Sequence, residues 1–400
     1  MKKFIIPALL IVAAMSSCSK DEVTEVLPQG DNANVLGLSV SSGVTKGADV
    51  TTASLENNTK VKLYAVKTDK TVYTSDFTFD SGDWSSSDAP TWTALGLPGE
   101  TVKFYSVHDG EGPIILDVSD TSVGATLEHT TSQESADHKD LVYYAGSLAA
   151  IPAGGKIQAY HKHALSKVNV KASTGDLKVY IARVRLVNAD SKANAAMLDN
   201  SVTWTNNTDV TDLFNYYADA NASNTLVASQ FDDELIKLAD TNPDILMVPQ
   251  TLAATCKSDI NDDLSDSYIE VIYCAEDKDG NPLVGYSEAS KYPEYDNITN
   301  EDVTTTTPLY VKAAFPVSYA FVDDTAYIIS LGLGGIDDST GGLNLSDNYV
   351  DKDGNDIELG DKVDPDLPEE GDPIFPTGNT QIDITVKVCD WDSEVLFDVI

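Results

Sequence analysis

The chain has 400 residues, with 26 lysines and arginines against 64 aspartates and glutamates, a formal net charge of −38. That balance argues against nucleic acid or an anionic bilayer surface as a partner, since both need basic patches to neutralise phosphate. At 42% hydrophobic and 22% charged residues the chain can bury a core, and four cysteines are too few for a disulfide scaffold. The only two arginines, Arg183 and Arg185, supply little for a bidentate anion clamp.

Residues 1–17 read as an export signal: Lys2 and Lys3 precede the apolar run Phe4–Ala14, which is shorter than the roughly 20 residues a membrane helix needs. Met15-Ser16-Ser17-Cys18 resembles a bacterial lipobox. The resemblance implies cleavage before Cys18, acylation of its thiol and new amino group, and a tether to outer-membrane lipid. Ordinary secretion with cleavage near Ser17 is the alternative. Cys256, Cys274 and Cys389 then remain, and a Cys256–Cys274 bridge is left open.

Beyond a polar linker, residues 19–33, the segment Val35–Val40 alternates, with Leu36, Leu38 and Val40 on one face. That pattern predicts a half-buried strand. Ser41–Gly47 follows as a small polar loop of the kind proteases cut. From there to Val388 the chain is a succession of short runs rich in Val, Thr and Tyr, separated by Gly, Asp, Asn, Ser and Pro. Many short strands at such spacing predict an all-β fold of β-sandwiches with few short helices. Helical periodicity is confined to Gln230–Leu238. The polar stretch from Asn188 to Asn200 suggests a break, giving domains over 47–190 and 191–378 after a propeptide at 18–46. Asp361–Thr380, with four prolines among many carboxylates, reads as an extended, solvated tether. It delivers a terminal strand segment, 379–400, whose Ile382, Ile384, Val386 and Val388 form an apolar face.

Chemistry-bearing motifs are sparse. His161 and His163 would share one face of a strand as half of a metal site, but no third ligand is indicated, and a structural role is favoured. Asp277–Asn281 and Asp351–Asp356 resemble the start of a calcium loop without its proper end, so hairpin turns are the simpler reading. Nothing resembles GxSxG, HExxH, a P-loop or a dinucleotide fingerprint, and no cofactor is implied.

Several segments in order resemble the fimbrillin family, the pilin subunits of type V pili. They are the lipobox, the strand leading to Lys46, Phe104-Tyr105-Ser106-Val107 after Trp92, Asp140–Ala145, His163–Val170, and the close Ile382–Val388 with Trp391. The resemblance implies two transthyretin-like β-sandwich domains and a non-enzymatic subunit that reaches the outer membrane as a lipoprotein precursor. It further implies removal of the leader with its first strand, and a head-to-tail polymer of copies joined by strand exchange, with accessory anchor or tip pilins. The family's usual cut follows arginine. Here no arginine precedes Arg183, which places the cut after Lys46, leaving Gly47 as the new amino terminus. On this reading Leu36, Leu38 and Val40 belong to the displaced strand, and Ile382, Ile384, Val386 and Val388 to the donor strand. The rival is a lipid-anchored surface glycan-binding protein, which would need Trp84, Trp92 and Trp204 exposed as a platform for sugar rings. A weaker one is a surface hydrolase using an acid pair.

Overall fold

A computed structural model describes residues 34–42, 58–108, 114–118, 123–199, 201–206, 211–218, 226–229, 236–237, 244–254, 267–294, 303–334, 340–357, 359, 364, 366–375 and 384–389. The described residues are strands joined by turns, with short 3₁₀ turns such as Ser135–Asp137 and Ala289–Lys291. The first nine strands are β1 (Gly37–Ser42), β2 (Lys60–Lys67), β3 (Val72–Asp80), β4 (Asp83–Ser85), β5 (Val102–His108), β6 (Ile114–Val118), β7 (Val123–Thr130), β8 (Val142–Leu148) and β9 (Lys156–His163). Next come β10 (Ser166–Ser173), β11 (Lys178–Asp190), β12 (Lys192–Leu198), β13 (Ser201–Asn206), β14 (Thr211–Ala218), β15 (Leu226–Ser229), β16 (Ile236–Lys237), β17 (Ile245–Met247) and β18 (Gln250–Leu252). The last are β19 (Tyr268–Glu276), β20 (Pro282–Val284), β21 (Val311–Pro316), β22 (Tyr319–Phe321), β23 (Thr325–Gly332), β24 (Leu343–Asn344) and β25 (Ile384–Cys389).

Seven strands form one sheet in the order β1-β9-β8-β5-β2-β3-β4. Successive side chains of β2 and β5 point to opposite sides and are buried on both, which gives this sheet two apolar faces. Val66, Tyr105, Val107, Tyr143 and Ala145 pack on a four-stranded sheet, β13-β12-β7-β6, through Ala125, Leu127, Ala193, Ala195 and Met197. Val61, Leu63, Ala65 and Phe104 point the other way, into a second core shared with Leu36, Leu38, Val40, Phe77, Trp84 and Trp92. The sheet curls around this second core, so its two end strands, β1 and β4, come into contact.

The remaining strands form another sandwich. The path β16-β10-β23-β25 faces β14-β11-β19-β21-β24 across a large core that includes Val168, Val184, Phe214, Val271, Phe315 and Ile329. The expected boundary at 190/191 falls between β11, which pairs with β14 and β19, and β12, which pairs with β7 and β13. Among the described residues, β10 and β11, on the amino-terminal side of that boundary, pair with strands that follow it.

Three local expectations are corrected. The stretch from Asn188 to Asn200 does not interrupt the strands: β11 runs on to Asp190, and β12 alternates buried Ala193, Ala195 and Met197 with exposed neighbours. Within Gln230–Leu238, Ile236 and Lys237 are strand, because β10 offers them backbone partners at Ala172 and Lys171. The described part of Asp361–Thr380 is seated on the protein rather than a solvated tether, although Asp366, Glu369, Glu370 and Asp372 stay exposed. Ile374 is buried, Leu367 and Phe375 lie against the core, and Asn344 donates to the Pro368 carbonyl. There the buried Asp364 carboxylate accepts from the Tyr349 hydroxyl at 2.6 Å, which satisfies a charge that would otherwise oppose burial.

Candidate functional site: the first strand and its groove

β1 lies at an edge of the seven-stranded sheet and runs parallel to β9, from Gly37 opposite Lys156 to Ser42 opposite His161. The pairing joins segments more than a hundred residues apart, so no local turn holds the strand in place. On its other side, which β4 approaches, the backbone hydrogen bonds among the described residues lie just before the strand. Leu36 N–H donates to the Pro90 carbonyl at 2.9 Å, Trp92 N–H donates to the Asn34 carbonyl at 2.8 Å, and Asn34 Nδ2 reaches Thr93 Oγ1 at 3.1 Å.

The side chains explain why the strand stays. Leu36, Leu38 and Val40 are 2%, 1% and 4% exposed, set among Val61, Phe77, Trp84, Trp92, Leu95, Phe104 and Ile157. At roughly 1.5–3 kcal/mol for each fully buried aliphatic side chain, these three anchor β1 by several kcal/mol. Gly37 lies tight against β9: a Cβ there would fall 2.7 Å from Lys156 Cγ and 2.9 Å from the Gly155 carbonyl oxygen. Lifting β1 away would leave an apolar groove beside the free edge of β9.

The carboxy-terminal strand has a different seat. β25 is not at the end of a free tether: it pairs antiparallel with β23, from Leu331 opposite Ile384 to Ala326 opposite Cys389, at the edge of its sheet. Val386 is partly buried against the core, whereas Val388 is 54% exposed. Cys18, Lys46, Gly47 and Ile382 lie outside the described residues.

The other sequence candidates are accounted for by structural contacts. His161 and His163 do share the inward face of β9. His161 Nε2 meets Ser106 Oγ at 2.8 Å, and His163 Nδ1 meets Asp140 Oδ2 at 2.6 Å. Among the described residues no three His, Cys, Asp or Glu are grouped to hold a metal. The two Asp-Lys-Asp-Gly-Asn loops adopt the same self-satisfied turn, in which Asp277 and Asp351 each accept backbone N–H groups two and four residues on and an asparagine side chain. Their lead carboxylates are thus engaged as turn residues. Arg183 binds the second loop through the Asp353 carboxylate at 2.8 Å, and Arg185 pairs with Glu270. Cys274 is a free, fully buried thiol, pushed up in pKa by burial, and Cys256 lies outside the described residues. Trp84 and Trp92 are buried and Trp204 packs on the amino-terminal core, which removes the proposed sugar platform.

Sequence reasoning found the three apolar residues of β1 but not what receives them. Trp92, Leu95 and Leu97 line the groove from a turn-rich segment, with alternation too short to register as a strand.

A fimbrillin-like family model matches residues 48–281, more than half of the chain. No curated protein sequence matches. Among solved structures, a candidate cell adhesion protein from Parabacteroides distasonis aligns at 9% identity, covering 91% of this chain and 99% of that one with a TM-score of 0.43. A second candidate cell adhesion protein, from Bacteroides uniformis, aligns at 12% identity over 90% of this chain and 99% of that one, TM-score 0.40. The fimbrial anchor protein Mfa2 from Porphyromonas gingivalis aligns at 9% identity over 74% and 90%, TM-score 0.30.

Proposed function

The chain belongs to the fimbrillin-like family, and from that premise we propose that it is a structural, non-enzymatic subunit of a surface fimbrium that supports adhesion or biofilm formation. The subunit travels to the outer membrane as a lipoprotein acylated on Cys18. A surface protease cuts between Lys46 and Gly47, β1 leaves, and another copy supplies the donor strand that carries Ile382, Ile384, Val386 and Val388. Accessory anchor or tip subunits complete the fimbrium.

The observation that carries this reading is the seat of β1: it completes a core through three fully buried side chains, yet it is an edge strand with one long partner, and it ends at Ser42, four residues before Lys46. While attached, such a strand has an effective local concentration of about millimolar, so it resists exchange. Once cut, it has no such advantage, and a strand from another copy can pair with the edge of β9 by β-augmentation. The residues before Gly47 contain four lysines and four acids, so the processed subunit keeps the net charge of −38. The joint must therefore rest on apolar packing and backbone bonds.

The test is a full-length chain carrying Lys46→Ala and Lys20→Ala. It should accumulate as an uncut monomer on the cell, whereas normal polymer yield would locate the switch elsewhere.

A further inference from the structure

The groove of β1 is apolar along most of its length and polar at one end. A single row of paired residues crosses the sheet there: Ser75 opposite Leu63, Leu63 opposite Ser106, Ser106 opposite Tyr144. The row continues to His161, whose ring lies 6.1 Å from that of Tyr144 and whose Nε2 meets Ser106 Oγ, and it ends at Ser42 on β1. Ser75, Ser106 and His161 are all buried. β1 matches this floor residue by residue, with Leu36, Leu38 and Val40 over the apolar part and the polar Ser42 in register with His161.

The carboxy-terminal segment carries the same pattern read forward: Ile384, Val386, Val388, and then Asp390. Resting on the strand-exchange reading above, we propose that the donor strand enters its neighbour parallel to β9, with Ile384, Val386 and Val388 in the places of Leu36, Leu38 and Val40 and Asp390 in that of Ser42, against His161. Reversal would seat the same three apolar residues but set Ile382 on the polar row. A forward slip by two residues would put Val388 there. Both bring an aliphatic side chain to a histidine–serine pair, whereas the chosen register meets it with a carboxylate. The strand that occupies this edge of β9 within the chain, β1, is itself parallel to it. In this register Thr385 replaces Gly37, where a Cβ falls 2.7 Å from Lys156 Cγ and 2.9 Å from the Gly155 carbonyl oxygen, so both the Lys156 stem and the start of β9 must shift to receive it.

Native Cys389 reports the register, because it would take the place of Ser41, opposite Tyr160, which is 62% exposed. The experiment uses the full chain with Tyr160→Cys, assembled on cells, mildly oxidised and run boiled without reductant. A ladder of disulfide-linked subunits that vanishes with Cys389→Ser is the expected result. An assembled polymer without that cross-link overturns the proposal, and cross-linking of the pair Gln158→Cys with Thr385→Cys instead would identify the reversed strand. If the wild-type chain forms no SDS-resistant polymer, strand exchange itself fails and this register falls with it. Independently, Asp390→Lys should lose polymer, and an unchanged yield would overturn the placement of Asp390 against His161.

Discussion

β1 and β25 are both six-residue edge strands with an alternating apolar face, but they are held very differently. β1 and the residue just before it bury Leu36, Leu38 and Val40 in a curled sheet, while β25 lies on the rim of its sheet with Val386 half-buried and Val388 largely exposed. The first strand is locked and the last is loosely shelved. Burial depth, not pairing length, separates them, because each has six residues in register with its neighbour. If the strands exchange as proposed, the depth of β1 requires that it be severed before it leaves, and the shallow β25 is the one suited to be lent.

The contrast is most directly broken by truncating one side chain in each strand of the uncut chain. Leu38→Ala should cost about 2–5 kcal/mol, since it opens a cavity in a packed core. If chemical denaturation shows a loss under 1 kcal/mol, β1 is not locked. Gly37→Val should follow at about 1–3 kcal/mol, because its branched side chain meets Lys156 and the Gly155 carbonyl, and the same unfolding curve reads it. Val386→Ala should cost about 1 kcal/mol, as suits a half-buried methyl pair. Val388→Ala should stay within about 0.5 kcal/mol, and a larger loss would mean that β25 is seated as firmly as β1.

A smaller effect tests the turn that joins the two sandwiches. After β22, Asp324 N–H donates to the Leu165 carbonyl and Ser166 Oγ donates to the Val322 carbonyl, tying the turn to the crossover between β9 and β10. Burial pushes the carboxyls of Asp323 and Asp324 above the usual carboxylate range. A carboxyl whose folded pKa lies above its unfolded one favours folding at pH below the unfolded value, and that contribution is lost as pH rises through the folded value. Asp323→Asn should therefore stabilise the chain more at neutral pH than at acidic pH, where proton uptake relieves the native carboxyl. Thermal unfolding at the two pH values checks the sign.

Much of this was readable in the sequence where structure is local. Leu36, Leu38 and Val40 announce a strand with one buried face, and the β-branched runs announce an all-β fold. What the sequence could not convey is pairing at a distance. That β1 lies parallel to β9 depends on register across the whole first sandwich, and the polar row is assembled from six different strands, each contributing one unremarkable residue. β12 was hidden for another reason: its inward residues Ala193 and Ala195 are small, so alternation was masked by the polar residues between them. At Asp364–Phe375 the prolines and acids outweighed Ile374 and Phe375, whose burial depends on the core they meet.

The amino-terminal mass of the subunits in an SDS-resistant ladder, sheared from cells and kept unboiled, tests the central claim most directly. A ladder whose subunits begin at Gly47 is the predicted result, with β1 gone from every assembled copy. A ladder whose subunits still carry Leu36–Ser42 would contradict the account, because the groove would then be filled by the chain's own strand.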